Sequence, residues 1–250
     1  MSSRSLWFVI PAFGRFELTG VCLRQLRRTC DALVAAGVFA SAVVAGDDGN
    51  LVTAAALGFE VVEQANMPLG RKWNDAFARA AGLGADYVVP FGTDNAVDWR
   101  VLAEGLPAAG EVSAFRRSSI VSPDGSRIVE LRISYEGGSG VRVFPTGLLE
   151  PLRFRPVAES RTRACDGSAR KRLQVAWGRR LRWVYRDQHP LQILNFKSAV
   201  QLNPFGGVAS AYGVAERPFA LDVVAGMFPA VFVDELDAYY AAAQAGLVAA

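Results

Sequence analysis

Short apolar runs alternate with stretches of helical periodicity through residues 1–100, the pattern of a parallel sheet covered by helices. Leu6 to Ile10 (LWFVI) predicts a first buried strand, ended by Pro11. From Leu18 to Ala36 the apolar residues Leu18, Val21, Cys22, Leu26, Leu33 and Val34 recur at roughly helical spacing, which predicts the first covering helix. Ser41 to Gly46 (SAVVAG) predicts a second strand, closed by the turn-forming GDDGN. A short helix over Leu51 to Leu57 leads to a third strand, Phe59 to Gln64, then to the loop ANMPLG and a helix from Arg71 to Ala81. Tyr87 to Phe91 predicts the fourth strand. The strands therefore end at Pro11, Asp47, Gln64 and Gly92. In a parallel sheet such ends share one edge, where ligands bind.

Beyond a helix predicted over Trp99 to Leu106 the rhythm changes. The segment SAFRRSSIVSPDGSRIVELRISY carries two extended pieces around Pro-Asp-Gly and predicts a hairpin. EGGSG, Glu136 to Gly140, predicts a loop, VRVF a strand, and Asp166 to Gly178 a basic helix. Leu221 to Met227 and Val233 to Leu247 predict C-terminal helices. No internal repeat, linker or low-complexity tract divides the chain, so residues 1–250 read as a single domain.

Composition narrows the class. At 51% hydrophobic, 20% charged and net charge +3, the chain can bury a large core as one soluble unit. Nowhere does it hold the roughly nineteen consecutive apolar residues of a membrane span. The apolar run after Arg4 is too short for a signal peptide, so a cytoplasmic location is expected. Cys22, Cys30 and Cys165 are odd in number and fit neither a disulfide framework nor a zinc motif. The sequence pI of 8.9 reflects an arginine excess between Arg153 and Arg186 that resembles no nucleic-acid reading module. A phosphate-bearing small molecule is the expected anionic partner.

The edge defined by the strand ends carries Arg15 after the first strand, Asp47 and Asp48 after the second, Asn66 and Arg71 to Asn74 after the third, and Asp94 and Asn95 after the fourth. Two positions supply carboxylates. A third supplies cations near a predicted helix start, where unpaired N–H groups favour an anion. A diphosphate uses both, through direct positive contacts and a divalent metal on hard oxygen donors. The same residues also suit plain turns: DDGN and TDN are ordinary turn chemistry, and Asp166 suits a helix N-cap. Trp73, Trp99, Trp177 and Trp183 are read as core, although Trp99 could border an acceptor site.

In order, FVIPAFGR, VVAGDDGN, NMPLGRKWNDAFARA and ADYVVPFGTDN resemble the nucleotide-binding half of a family 2 type glycosyltransferase with the GT-A fold. The resemblance implies an α/β fold: a mostly parallel sheet flanked by helices over residues 1–100 for the nucleotide-sugar, and a mixed acceptor-binding half over 101–250. Pro11, Phe13 and Arg15 would line the nucleotide pocket, Asp48 or Asp47 would hold base or ribose, and Arg71 or Lys72 would meet the diphosphate with Asn74 nearby. Asp94 matches the last aspartate of the family's Asp-x-Asp motif, which takes Mn²⁺ or Mg²⁺. Gly92 stands where the first aspartate is expected, leaving Asn95 or Asp98 to share its work. His189 matches the late histidine that completes the metal shell, with Asp187 beside it. Asp166, following the GGSG loop, is the implied base, with Glu159 in reserve.

The implied activity is transfer of a sugar, with inversion, from a nucleotide-diphosphate donor, UDP-sugar by default, to a glycan or protein hydroxyl entering beneath the EGGSG loop. A catalytically silent nucleotide-sugar or glycan-binding protein is the alternative that Gly92 favours. A sugar-phosphate nucleotidyltransferase ranks below both, because PAFGRFELTG lacks that class's glycine-rich loop.

Overall fold

The apolar runs build two sheets in a computed structural model describing residues 4–132, 141–162, 165–197 and 205–248. The first half contains β1 (Ser5–Pro11), α1 (Phe16–Ala35), β2 (Phe39–Gly46), α2 (Asn50–Ala56), β3 (Glu60–Glu63), α3 (Leu69–Gly82) and β4 (Tyr87–Pro90). Next come β5 (Asn95–Val97), α4 (Trp99–Glu104), β6 (Glu111–Phe115), β7 (Arg117–Val121), β8 (Arg127–Arg132), β9 (Arg142–Pro145) and α5 (Cys165–Trp177). The chain continues through β10 (Arg182–Arg186), β11 (Ile193–Phe196), α6 (Phe205–Tyr212), β12 (Gly213–Pro218), α7 (Asp222–Ala225) and α8 (Ala230–Gln244).

The larger sheet has the order β10-β6-β9-β4-β1-β2-β3, and every pairing is parallel except those of β9. Strands β1 and β2 read as continuous apolar runs because both faces are covered. Alternate residues of β1 serve opposite cores: Leu6, Phe8 and Ile10 pack with Leu23 and Leu26 of α1, while Trp7 and Val9 pack with Ala76, Phe77 and Ala80 of α3. The smaller sheet, β12-β8-β7-β11-β5, is mixed. Its face buries Val121, Leu194 and Phe196 against Phe232 and Leu236 of α8. The expected α/β class, with a mostly parallel sheet flanked by helices and a mixed second half, is the one observed.

Short passages carry the chain from the large sheet to the small one: residues 91–94 between β4 and β5, Arg116 between β6 and β7, and residues 187–192 between β10 and β11. They place the carboxyl edge of the large sheet against the small one. Here the structure departs from expectation. Asn95–Val97, read as the tail of a turn, pairs antiparallel with β11. The SAF expected in the hairpin belongs to β6 of the other sheet, and the hairpin itself is β7–β8. Asp166 lies in the first turn of α5, which begins at Cys165, rather than at its N-cap. The predicted EGGSG loop lies outside the described residues. Among the described residues no helix is long and apolar enough to cross a membrane.

Candidate functional site

The loop after β1 turns on two consecutive left-handed residues, Gly14 (φ 58°) and Arg15 (φ 50°). Glycine takes this conformation freely, whereas arginine does so only when its surroundings impose it. Asp48 supplies the constraint: Oδ2 accepts the Gly14 N–H at 2.7 Å and Oδ1 accepts the Asn50 N–H at 3.0 Å. Asn50 Nδ2 donates to the Gly14 carbonyl at 3.0 Å. Thus braced, Arg15 reaches the β4–β5 turn, donating from Nη1 to Asp94 Oδ2 and from Nη2 to Thr93 Oγ1, both at 3.0 Å.

The neighbouring loops are stitched to this one. Lys72 is fully buried and donates from Nζ to the Ala12 carbonyl at 2.8 Å and to Asn66 Oδ1 at 3.0 Å. Burial pushes its pKa down, while the charges of Asp47 and Asp48 work the other way. Asp47 Oδ2 accepts the Asn66 N–H at 2.9 Å. Asn74 clips a distant segment, its Nδ2 donating to the Val157 carbonyl at 2.8 Å and its Oδ1 accepting the Val157 N–H at 3.0 Å. At the start of α3 the Gly70 N–H donates to the Arg161 carbonyl at 2.7 Å, and a Cβ on Gly70 would stand 2.1 Å from the Ala158 carbonyl oxygen. Protein therefore covers the helix start where an anion was expected. Arg71 points to solvent, Phe13 is 55% exposed, and Pro11 ends β1 beside them.

Between the sheets, at the carboxyl ends of β4 and β11, lies a cavity of about 220 Å³ lined by Trp73, Asp94, Asn95, Asp166, Asn195 and Lys197, among others. Gly92 explains how Asp94 reaches it. A Cβ at position 92 would sit 2.5 Å from Asp94 Oδ1, closer than any real contact, so the carboxylate folds back over a space only glycine leaves open. Lys197, 8% exposed, follows β11; burial pushes its pKa down, opposed by Asp94 and reinforced by Arg15. Asn195 donates from Nδ2 to Asn95 Oδ1, while its own Oδ1 is buried and has no hydrogen-bond partner among the described residues. Asp166 enters from α5, oriented by the buried Arg142 guanidinium at 3.4 Å. One concavity thus holds two carboxylates and a lysine.

Other anticipated residues lie apart. Glu159 is absorbed in an ion pair with Arg155 at 2.9 Å and does not line this cavity. His189 caps the turn before β11, its Nδ1 accepting the Leu191 N–H at 3.3 Å. Since Asn195 pairs with Asn95 and the Asp98 N–H donates to the Gln192 carbonyl, His189 sits at the opposite end of the β5–β11 pair from Asp94. Asp98 binds Arg100, at 2.8 Å, and Asp187 lines a different cavity.

Mn²⁺ and Mg²⁺ want several converging hard oxygens or an imidazole. Asp94 instead faces Arg15 and Lys197, Asn95 Oδ1 accepts a hydrogen bond, and among the described residues no three His, Cys, Asp or Glu side chains cluster in a way that could hold a metal ion. The expected ligand set of Asp94, Asn95 and His189 does not fit a metal.

Lys197, Asn195 and Arg142 went unnoticed in the sequence. The available signal was scarcity: lysine occurs three times among 27 cationic residues, and one of those ends the apolar run ILNF.

By sequence the chain matches no family model, and a search of curated proteins finds no match. Similar solved structures include the catalytic domain of Drosophila beta1,4-galactosyltransferase 7 in complex with xylobiose, at 13% identity over 73% of this chain with a TM-score of 0.49. This chain spans 64% of that structure's length. CMP:2-keto-3-deoxy-manno-octonic acid synthetase complexed with CTP aligns over 98% of this chain and 100% of its own, at 17% identity and a TM-score of 0.42. A glycosyltransferase involved in glycosylation of the PBCV-1 major capsid covers 74% of this chain and 81% of its own, at 10% identity and a TM-score of 0.41. At TM-scores below 0.5 these likenesses carry no residue role, substrate or metal across to this chain.

Proposed function

We propose that this chain is a glycosyltransferase that moves a sugar from a nucleotide-diphosphate donor to an acceptor hydroxyl, with inversion. The observation that carries the reading is that Asp94, Lys197 and Asp166 line one cavity at the carboxyl edge of a mostly parallel sheet, the place where such sheets bind nucleotides. Asp166 serves as base. Its carboxylate takes the proton of the acceptor hydroxyl as that oxygen bonds to the anomeric carbon. The bond from the anomeric carbon to the donor phosphate oxygen breaks, and its electron pair leaves on the diphosphate. Attack and departure on opposite faces invert the centre. Arg142 fixes the base, and Asp48 acts as a positioning residue by shaping the loop that aims Arg15 at Asp94.

The test is release of nucleoside diphosphate from a panel of UDP-, GDP- and dTDP-sugars with carbohydrate acceptors, comparing wild type with Asp166→Asn. Loss of a general base predicts a fall of about 10²–10⁴-fold in turnover with donor binding retained. A requirement for sugar 1-phosphate and nucleoside triphosphate, with pyrophosphate released, would replace this reading with nucleotidyl transfer. Donor binding without any turnover would make the protein a binding module.

A further inference from the structure

We propose that the anionic diphosphate is held by the Lys197 ammonium, with Arg15 behind it, and that no divalent cation takes part. This rests on the glycosyltransferase reading for the identity of the anion but not for its binding site. Arg15 Nη1 occupies Asp94 Oδ2 at 3.0 Å, within a pair whose side chains are 20% and 12% exposed. The carboxylate that would anchor a metal is therefore already neutralised by a fixed cation. Lys197 is then the surplus charge among the described residues: Arg15 pairs with Asp94 and Arg142 with Asp166, so with Lys197 these five groups carry net +1, in a cavity whose lysine is 8% exposed. A metal entering here would meet two carboxylates each already engaged by an arginine, and a lysine besides, whereas a phosphate oxygen would meet an ammonium already stripped of most of its water. Desolvated charges interact more strongly than exposed ones. The same ammonium stands ready for the charge that builds on the leaving diphosphate, the role a metal plays elsewhere.

Calorimetric titration with two probes, UDP and inorganic pyrophosphate, in EDTA and in Mn²⁺, tests the idea on wild type, Lys197→Met, Lys197→Arg and Arg15→Gln. Binding within about 2-fold in the two buffers is expected, with a loss of about 10-fold or more in Lys197→Met and near-complete retention in Lys197→Arg, the range for a hydrogen bond to a charged group. Arg15→Gln, which keeps Lys197, provides the comparison should Lys197→Met fail a thermal-melt check, and is expected to weaken both probes. A requirement for Mn²⁺, indifference to the lysine and arginine variants, or failure of pyrophosphate to bind would overturn the proposal. Lys197-dependent pyrophosphate binding without UDP or any other nucleotide would uphold this anion site and defeat the glycosyltransferase reading instead.

Discussion

Replacing Gly92 by alanine adds one methyl group against the Asp94 carboxylate. The new Cβ would lie 2.5 Å from Asp94 Oδ1 and 3.2 Å from Asn95 Nδ2, so the Asp94 carboxylate must swing away. Its other oxygen accepts from Arg15 at 3.0 Å, and the swing breaks that bond. Losing a charge-assisted hydrogen bond costs about 1.5–3 kcal/mol. Alanine offsets about 0.4–1 kcal/mol of this by restricting the unfolded chain. The net expectation is a destabilisation of about 1–2 kcal/mol, or about 2–8 °C in Tm for a chain of this size. The decisive assay is a double-mutant cycle by thermal and urea unfolding. With Asp94→Ala in place there is no carboxylate to displace, so Gly92→Ala becomes neutral or stabilising, and the coupling should exceed about 1 kcal/mol. An equal penalty in both backgrounds would refute the reading that glycine is here to admit Asp94.

Asn74→Ala removes both of its hydrogen bonds to Val157, leaving the Val157 N–H without its acceptor while the carbonyl keeps Arg172 Nη1, and should lower stability by about 1–3 kcal/mol in urea unfolding, an unchanged midpoint being the contrary result. All three cysteines are buried, and burial pushes the Cys30 thiol up to about 12, so the folded protein should resist a thiol-specific reagent at pH 8 until it unfolds. Hydrogen bonds from the Ser122 and Ser126 hydroxyls hold the Asp124 carboxyl down to about 2 from an ordinary 3.8. A lowered folded pKa means stability that is complete above 3.8 and fades as pH falls toward 2, so Asp124→Asn should flatten that part of the acid-unfolding curve. An acid limb identical to wild type would contradict it.

What could be read from the sequence follows from how each element is covered. β1, β2 and β4 announce themselves as apolar runs because helices bury both faces, and α3 by its period because only one face is buried, whereas α1 packs on two cores and shows a looser spacing. β10, RWVYR, hides at an edge with Arg182 exposed and the rest half-buried, and β5 is too short to show any period. At the site, residue type placed Asp94 and Asp166, which do line one cavity. It could not separate a ligand contact from a brace. Asp48 looks like a nucleotide contact until Gly14, 34 positions away, is seen donating to it. Asn74 looks like a diphosphate contact until Val157, 83 positions away, takes both ends of its amide. Such roles depend on partners that adjacency in the chain does not reveal. Lys197 was silent for the same reason, since only the β11–β7 and β11–β5 pairings carry it to Asp94.

The most direct measurement is a crystal structure of the protein with UDP. The account predicts the diphosphate in the cavity between the sheets, with a phosphate oxygen within hydrogen-bonding distance of Lys197 Nζ and the Asp166 carboxylate facing the vacant side beyond it. A nucleotide seated elsewhere, such as the open groove between Phe205 and Glu216, with Lys197 and Asp166 untouched, would contradict it.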